Sequence, residues 1–179
     1  VIETARLTLR RFREDDLDAL AATLGDPRVG DWLGGVRSRD QCAANIAAWT
    51  AELDRSGFGR LAMMRKANGR VIGAVGLHRL DPAFDPTPVG GAVEIGWHLD
   101  FAAWGAGYAS EAARAVTADG LERVGLSEIV AFTAKANLRS QAVMVRLGYE
   151  RQTHRDFDHP NLAPDHPLSR HVVYAVRRT

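Results

Sequence analysis

The chain has 179 residues, of which 46% are hydrophobic and 25% charged, and its formal net charge is +1. That length supports one domain spanning 1–179, and a charge so close to zero supplies no basic field for a nucleic-acid partner. A single cysteine excludes an internal disulfide framework, no apolar run is long enough to span a membrane, and the N-terminus lacks a signal-peptide pattern, so the cytoplasm is the expected compartment.

Thr4 to Phe12 alternates, with Leu7 and Leu9 on one face, and predicts a first strand. Glu14, Asp15 and Asp16 follow where a helix N-terminus favours acid. Leu17, Leu20, Ala21 and Leu24 continue at helical spacing until Gly25-Asp26-Pro27 ends that helix. Gly30 to Gly35 is expected to be a loop carrying Trp32 and Leu33. Ser38 and Gln41 make a capping box for a second helix, with Cys42, Ile46, Trp49 and Leu53 on its buried face. Trp49, on that stripe, belongs to the core. Trp32 has no periodicity around it, so a ligand contact and a plain loop position stay equally open.

Arg60 to Arg65 and Val71 to Leu77 are strands joined around Asn68-Gly69, the strongest short hairpin signal. Asp81 to Gly91 holds three prolines and two glycines and is a loop; its length suits a lid or simple length variation. Val93, Ile95, Trp97 and Leu99 then alternate with Glu94, Gly96 and His98, which predicts a half-buried strand with Glu94 and His98 on one face. The strand breaks at Trp104-Gly105-Ala106-Gly107, and a helix runs from about Ala109 to Val124-Gly125.

A strand, a glycine turn and a helix start aim unpaired N–H groups at an anion, and the helix dipole adds roughly half a positive charge there. On spacing alone an ordinary tight turn explains Gly105-x-Gly107 as well. It is not a Walker loop, since no Gly-Lys-Ser/Thr follows, and Ser110 stands where the Rossmann fingerprint needs its third glycine. Glu128 to Thr133 is a further strand. Asn137 to Leu147 is a helix stopped by Gly148, with Asn137 as its cap and Ser140 one turn on along the same face. Tyr149 to Thr153 resumes an extended pattern. Asp156 to Ser169 is a polar loop, and His171 to Val176 closes the chain as a strand. His159, His166 and His171 lack metal-ligand spacing, so no metal site is expected.

Trp104-Gly105-x-Gly107-Tyr108-Ala109-Ser110-Glu111, with Glu94-Ile95-Gly96 before it and Asn137-x-x-Ser140 after it, resembles the acetyl-CoA-binding core of the GNAT N-acetyltransferase superfamily. Within that superfamily it is most similar to the ribosomal-protein N-terminal (alanine/serine) acetyltransferase type. The opening Thr4-x-Arg6-Leu7-x-Leu9-Arg10, the acidic helix start and Asp26-Pro27 fit the same type, and the element order matches from Thr4 to Arg177. The resemblance implies an α/β fold with a mixed central sheet of about seven strands, splayed between its central strands and flanked by about four helices. It also implies acetyl-CoA as co-substrate, no metal, and acetyl transfer to a primary amine by direct attack in a ternary complex. The acceptor would be a protein N-terminus or a small-molecule amine; homodimers are common among the proteins resembled.

By the same resemblance, the diphosphate sits on the amides of Gly105, Ala106, Gly107, Tyr108 and Ala109, while Trp104 stands where the superfamily usually has Arg or Gln. The pantetheine arm inserts beside the strand carrying Trp97, His98 and Leu99, and the amide of Leu99 or His98 donates to the thioester oxygen. Asn137 lies against that arm, and Ser140 is the candidate for protonating the thiolate, with Tyr108 and Tyr149 as rivals. Glu94 is the candidate general base, since burial would raise its pKa toward working pH. The other reading of Glu94 is a structural ion pair with an arginine such as Arg79. His98 could share the base role. Trp32 and Leu33 fall on the acceptor side. No strongly acidic patch is evident, which disfavours a highly cationic acceptor. The alternatives are a catalytically inactive acyl-CoA-binding regulatory module and, more weakly, a nucleotide binder using the glycine turn.

Overall fold

The alternating strands build a sheet whose two faces meet different helices. The computed structural model describes residues 1–82 and 88–178, and positions 83–87 of the predicted loop Asp81 to Gly91 lie outside the described residues. The strands are β1 (Ile2–Glu3), β2 (Leu7–Arg10), β3 (Arg60–Arg65), β4 (Val71–Arg79), β5 (Val93–Leu99), β6 (Glu128–Ala134), β7 (Glu150–Arg151), β8 (Phe157–Asp158) and β9 (Arg170–Arg177). They order as β1-β2-β3-β4-β5-β6-β9-β7, with β8 also on β9. Every pairing is antiparallel except β5 with β6. The α-helices are α1 (Leu17–Leu24), α2 (Pro27–Gly30), α3 (Arg39–Ser56), α4 (Tyr108–Glu122) and α5 (Leu138–Arg146).

On one face Val75, Leu77 and Ile95 pack with Ala112, Ala113 and Val116 of α4 and with Met144 of α5. On the other, Ala62 and Ala74 pack with Leu20 and Leu24 of α1 and Cys42 of α3. Each fully buried Leu or Ile in these layers contributes roughly 1.5–3 kcal/mol. Ser38 and Gln41 form the predicted reciprocal cap of α3, and Gly57 ends that helix at φ 72°.

Between β3 and β4 the register slips between Ala62 and Met64. Gly73 sits at this bulge with φ 151°, where a Cβ would come 2.0 Å from the His98 carbonyl oxygen. Only glycine lets β4 and β5 approach there. The other side of β5 opens: it is in register with β6 at one pair, Glu94 opposite Val130, although both strands continue. The Asp100 amide bonds to the Ile72 carbonyl in continuation of the β4–β5 register, so His98, Gly96 and Glu94 direct their peptide groups toward β4. Ile95, Trp97 and Leu99 direct theirs into the gap beside β6. This is the splay that the family resemblance implied.

Several local expectations change. Helix α1 ends at Leu24 before Gly25-Asp26-Pro27, as expected, but the expected loop Gly30 to Gly35 is partly helical, because Pro27 also opens α2 under an Asp26 cap. A 3-10 turn, Asp31–Leu33, follows. The strands Ile2–Glu3 and Phe157–Asp158 are too short to register as periodicity, which is why nine strands stand where about seven were expected. Tyr149 to Thr153 yields only two strand residues before another 3-10 turn.

Candidate active site

The β5–β6 gap widens into a cleft of about 1240 Å³. One end is the glycine turn. Gly105 and Gly107 adopt φ 76° and 82°, conformations that cost an L-residue about 1–2 kcal/mol. A Cβ on Gly105 would meet nothing within 4 Å, so it faces open space. Helix α4 starts at Tyr108 without a side-chain cap, and among the described residues no acceptor meets the amides of Gly107, Tyr108 or Ala109. Those donors, on a helix of 15 residues, suit an anion. The indole of Trp104 fastens the turn to β5 by donating to the Leu99 carbonyl at 2.9 Å, and the Arg139 guanidinium lies 5.0 Å above its ring. Arg146 reaches the same end, donating to Ser110 Oγ at 2.8 Å.

The floor of the cleft is a polar strip on the sheet face shared with Ala62 and Ala74. His78 lies opposite Glu94, Gly76 opposite Gly96, Ala74 opposite His98, and Arg60 opposite Gly76. Having no Cβ, Gly96 lets the Arg60 guanidinium lie across it; a Cβ would come within 2.4 Å of Nη1. Arg60 Nη2 is 3.7 Å from Glu94 Oε2, with both side chains about nine-tenths buried. The arginine beside Glu94 is therefore Arg60, not Arg79. Burial pushes the Glu94 carboxyl above its ordinary range, against the opposing pull of Arg60 and His78. His98 is buried beside the charges of Arg60 and Arg37, and its pKa drops to about 3, so the imidazole is neutral at working pH.

Asn137 caps α5, its Oδ1 accepting from the Ser140 amide at 3.2 Å, and both residues line the cleft. Ser140 Oγ has no hydrogen-bond partner among the described residues. Tyr149 points elsewhere: it is buried in the α4 face of the core, with its hydroxyl 2.9 Å from Thr117 Oγ1, and burial raises its pKa against that bond. It does not line the cleft. Trp32, 38% exposed, and Leu33 form the wall beyond Glu94 together with Trp49, which packs on the α1–α3 core and edges the opening. His159 and His171 lie with ring centroids 4.8 Å apart, tilted by 46°, on the facing wall, while His166 serves a local turn by accepting from the Leu168 amide. No group of three metal-ligating side chains occurs among the described residues.

The model of the acetyltransferase (GNAT) domain family matches residues 6–150 of this chain. The chain belongs to the GNAT acetyltransferase family. It is 26% identical over 154 residues to the uncharacterized N-acetyltransferase YoaA of Bacillus subtilis, covering 85% of this chain and 84% of that relative. An acetyltransferase from Agrobacterium tumefaciens superposes with a TM-score of 0.77 at 26% identity, covering 99% of this chain and 94% of the other. RimL, a ribosomal alpha-N-protein acetyltransferase in complex with coenzyme A, has the same fold, with a TM-score of 0.75 at 19% identity over 97% and 95% of the two chains. As a GNAT enzyme this chain is an acyltransferase that uses acetyl-CoA as co-substrate.

In this GNAT domain Glu94, Trp97, His98, Leu99, Trp104, Gly105, Gly107, Tyr108, Ala109, Asn137 and Ser140 all line one cleft, and Trp32 and Leu33 border its far side. Ala106 does not line it, and its carbonyl accepts from Arg6 Nη1 at 2.9 Å. Sequence reading missed Arg60, Glu52 and His78. Glu52 carried a signal: three residues after Trp49, an acid falls on the apolar stripe of α3, where burial demands a partner. Arg60 carried none, because its contact with Glu94 crosses an intervening strand.

Proposed function

We propose that this enzyme moves the acetyl group of acetyl-CoA to a primary amine by direct attack in a ternary complex. In this reading the cofactor lies along the glycine turn and the β5–β6 gap. The observation that carries the reading is that two sets of unpartnered backbone donors, at the start of α4 and along β5, open into one cleft beside a buried carboxylate of raised pKa. The residues present fit the cofactor: the turn is bare of side chains where a diphosphate would sit, and Arg139 and Arg146 add positive charge at that end.

When bound, acetyl-CoA supplies an acyl group activated as a thioester. The Leu99 amide faces the gap, so it rather than the His98 amide is the donor to the acyl oxygen as charge gathers there. Glu94 accepts the proton of the incoming ammonium; a raised carboxyl pKa brings donor and acceptor closer in strength. Ser140, with its free hydroxyl, passes a proton to the departing thiolate and regains one from the amine nitrogen, which loses its second proton as the amide forms. His98, held neutral, orients and excludes water and leaves the base role to Glu94. Trp32 and Leu33 border the amine's entry. Arg37 and Arg60, both close enough to depress His98, make that entry unsuited to a polycation and better suited to a single ammonium such as a protein N-terminus or a small amine.

Because RimL is an alpha-N-protein acetyltransferase, N-terminal peptides are the first acceptors to test. Every residue invoked comes from one copy of the chain, and no helix among the described residues is long and apolar enough to cross a membrane, which suits a cytoplasmic enzyme. Coenzyme A affinity by calorimetry and thiol release with peptides beginning in serine or alanine, and with a panel of small amines, test the reading. Tight binding with turnover on at least one amine is expected. Tight binding with no turnover on any would replace it with an inactive acyl-CoA-binding module.

A further inference from the structure

Glu94 is a buried base, and a buried base must hand its proton on before the next turnover. Its neighbour directly across the sheet is His78, which lines the same cleft yet keeps 42% of its side chain exposed. Directly opposed side chains on adjacent strands have Cβ atoms about 5 Å apart, within reach directly or through one water. His78 is itself held in one orientation. Glu52 of α3, 7% exposed, accepts from His78 Nδ1 at 2.8 Å through Oε2 and from the Arg79 amide at 2.9 Å through Oε1. The backbone bond locks the carboxylate, and the carboxylate sets the tautomer: hydrogen on Nδ1, lone pair on Nε2.

We propose that His78, oriented by Glu52, carries protons from Glu94 to solvent in each catalytic cycle. This rests on the acetyl-transfer reading above. The acceptor ammonium gives one proton to the Glu94 carboxylate and becomes a neutral amine. Glu94 passes that proton to His78 Nε2, forming an imidazolium whose charge is balanced by Glu52. Because Nδ1–H stays on Glu52, Nε2 itself releases the proton to water in the open cleft, which restores neutral His78 and ionised Glu94. The charged groups gathered with His78 at this point are Glu52 from α3, Glu94 from β5 and Arg60 from β3. Glu52 is the anion paired with the ring, and the Arg60 guanidinium lies 3.7 Å from Glu94 Oε2. Glu52 acts only through His78 and is a positioning residue.

The test uses full-length enzyme, coenzyme A and a peptide with a free N-terminal serine. Glu52→Gln keeps volume and the bond from the Arg79 amide, but its amide N–H then donates to Nδ1 and moves the ring hydrogen to Nε2. Nitrogen chemical shifts of the imidazole are expected to report Nδ1–H in the unaltered protein and Nε2–H in the variant. The acetylation kcat is expected to fall about 10- to 100-fold with KM and coenzyme A affinity unchanged. His78→Ala is expected to lose a similar factor and to regain it in millimolar imidazole. An unchanged kcat and pH profile in both variants, or a loss in His78→Ala that imidazole does not restore, overturns the relay. No turnover in the unaltered enzyme would instead overturn the acetyl-transfer reading, and the relay with it.

Discussion

Arg6 and Glu111, 105 residues apart, clasp each other under the glycine turn: Arg6 Nε donates to Glu111 Oε2 at 2.6 Å and the Arg6 amide donates to Oε1 at 2.8 Å. The Thr4 hydroxyl adds a third bond to Oε1 at 2.6 Å, Arg6 Nη1 holds the Ala106 carbonyl at 2.9 Å, and the guanidinium lies 4.5 Å over the Tyr108 ring. The turn between β1 and β2 thereby braces the start of α4. Burial works to raise the Glu111 carboxyl, but the bonds from Thr4 and Arg6 outweigh it and hold the pKa below the usual range. This contribution is intact above the unfolded pKa and is lost as pH falls through the folded one. Glu111→Ala is expected to cost about 1–2 kcal/mol at neutral pH, discounted because Arg6 is half exposed, and to weaken coenzyme A binding several-fold. Chemical denaturation at pH 7 and pH 3 checks this: the gap between variant and parent should narrow in acid.

The cradle itself is tested at Gly107. Glutamate there must adopt φ 82° and brings a carboxylate to where the diphosphate is expected. Gly107→Glu should lower coenzyme A affinity at least about 100-fold with only a small change in Tm. Calorimetry that found the parent affinity would refute the assignment of the turn to the cofactor.

Removing the proposed proton donor should separate binding from chemistry. Ser140→Ala leaves the Asn137 cap intact, because Asn137 accepts from the backbone of residue 140. Turnover is expected to fall about 10-fold or more while coenzyme A affinity stays within about 2-fold. A matched loss of affinity would make the hydroxyl a binding contact instead.

The pH profile reports on Glu94. A base works when deprotonated, so kcat/KM should rise with pH through a limb set by the raised Glu94 pKa, above the ordinary carboxylate range. Glu94→Gln should reduce kcat about 100-fold or more and abolish that limb. Persistence of the same limb in the variant would move the base elsewhere.

Gly73 links the bulge to the splay. In Gly73→Ala the new methyl would stand 2.0 Å from the His98 carbonyl oxygen, so β4 and β5 must part. A loss of about 2–4 kcal/mol in denaturant unfolding is expected, with acetylation reduced beyond what the unfolded fraction explains.

The chain's local chemistry was enough to announce the principal strands and helices, the Ser38–Gln41 cap, the Asn68-Gly69 hairpin and the Gly105–Gly107 turn before α4. Each rests on residues within a few positions of one another, where period, cap and turn preferences act. Gly25-Asp26-Pro27 does end α1 at Leu24, but that Pro27 also opens α2 depends on where the Asp26 side chain points, which local sequence does not tell. His98 and Glu94 were foreseen on one face, but which would be neutral depended on burial and on two arginines from other elements.

Residues close in the chain thus sufficed to declare the GNAT resemblance and the glycine turn that opens α4. The partner of Glu94, the bolt between Arg6 and Glu111, the burial of Tyr149 away from the cleft and the Glu52–His78 pair were settled only when strands and helices distant in the chain came together. The reason is reach: a hydrogen bond spans about 3 Å, and only folding brings groups a hundred residues apart to that distance.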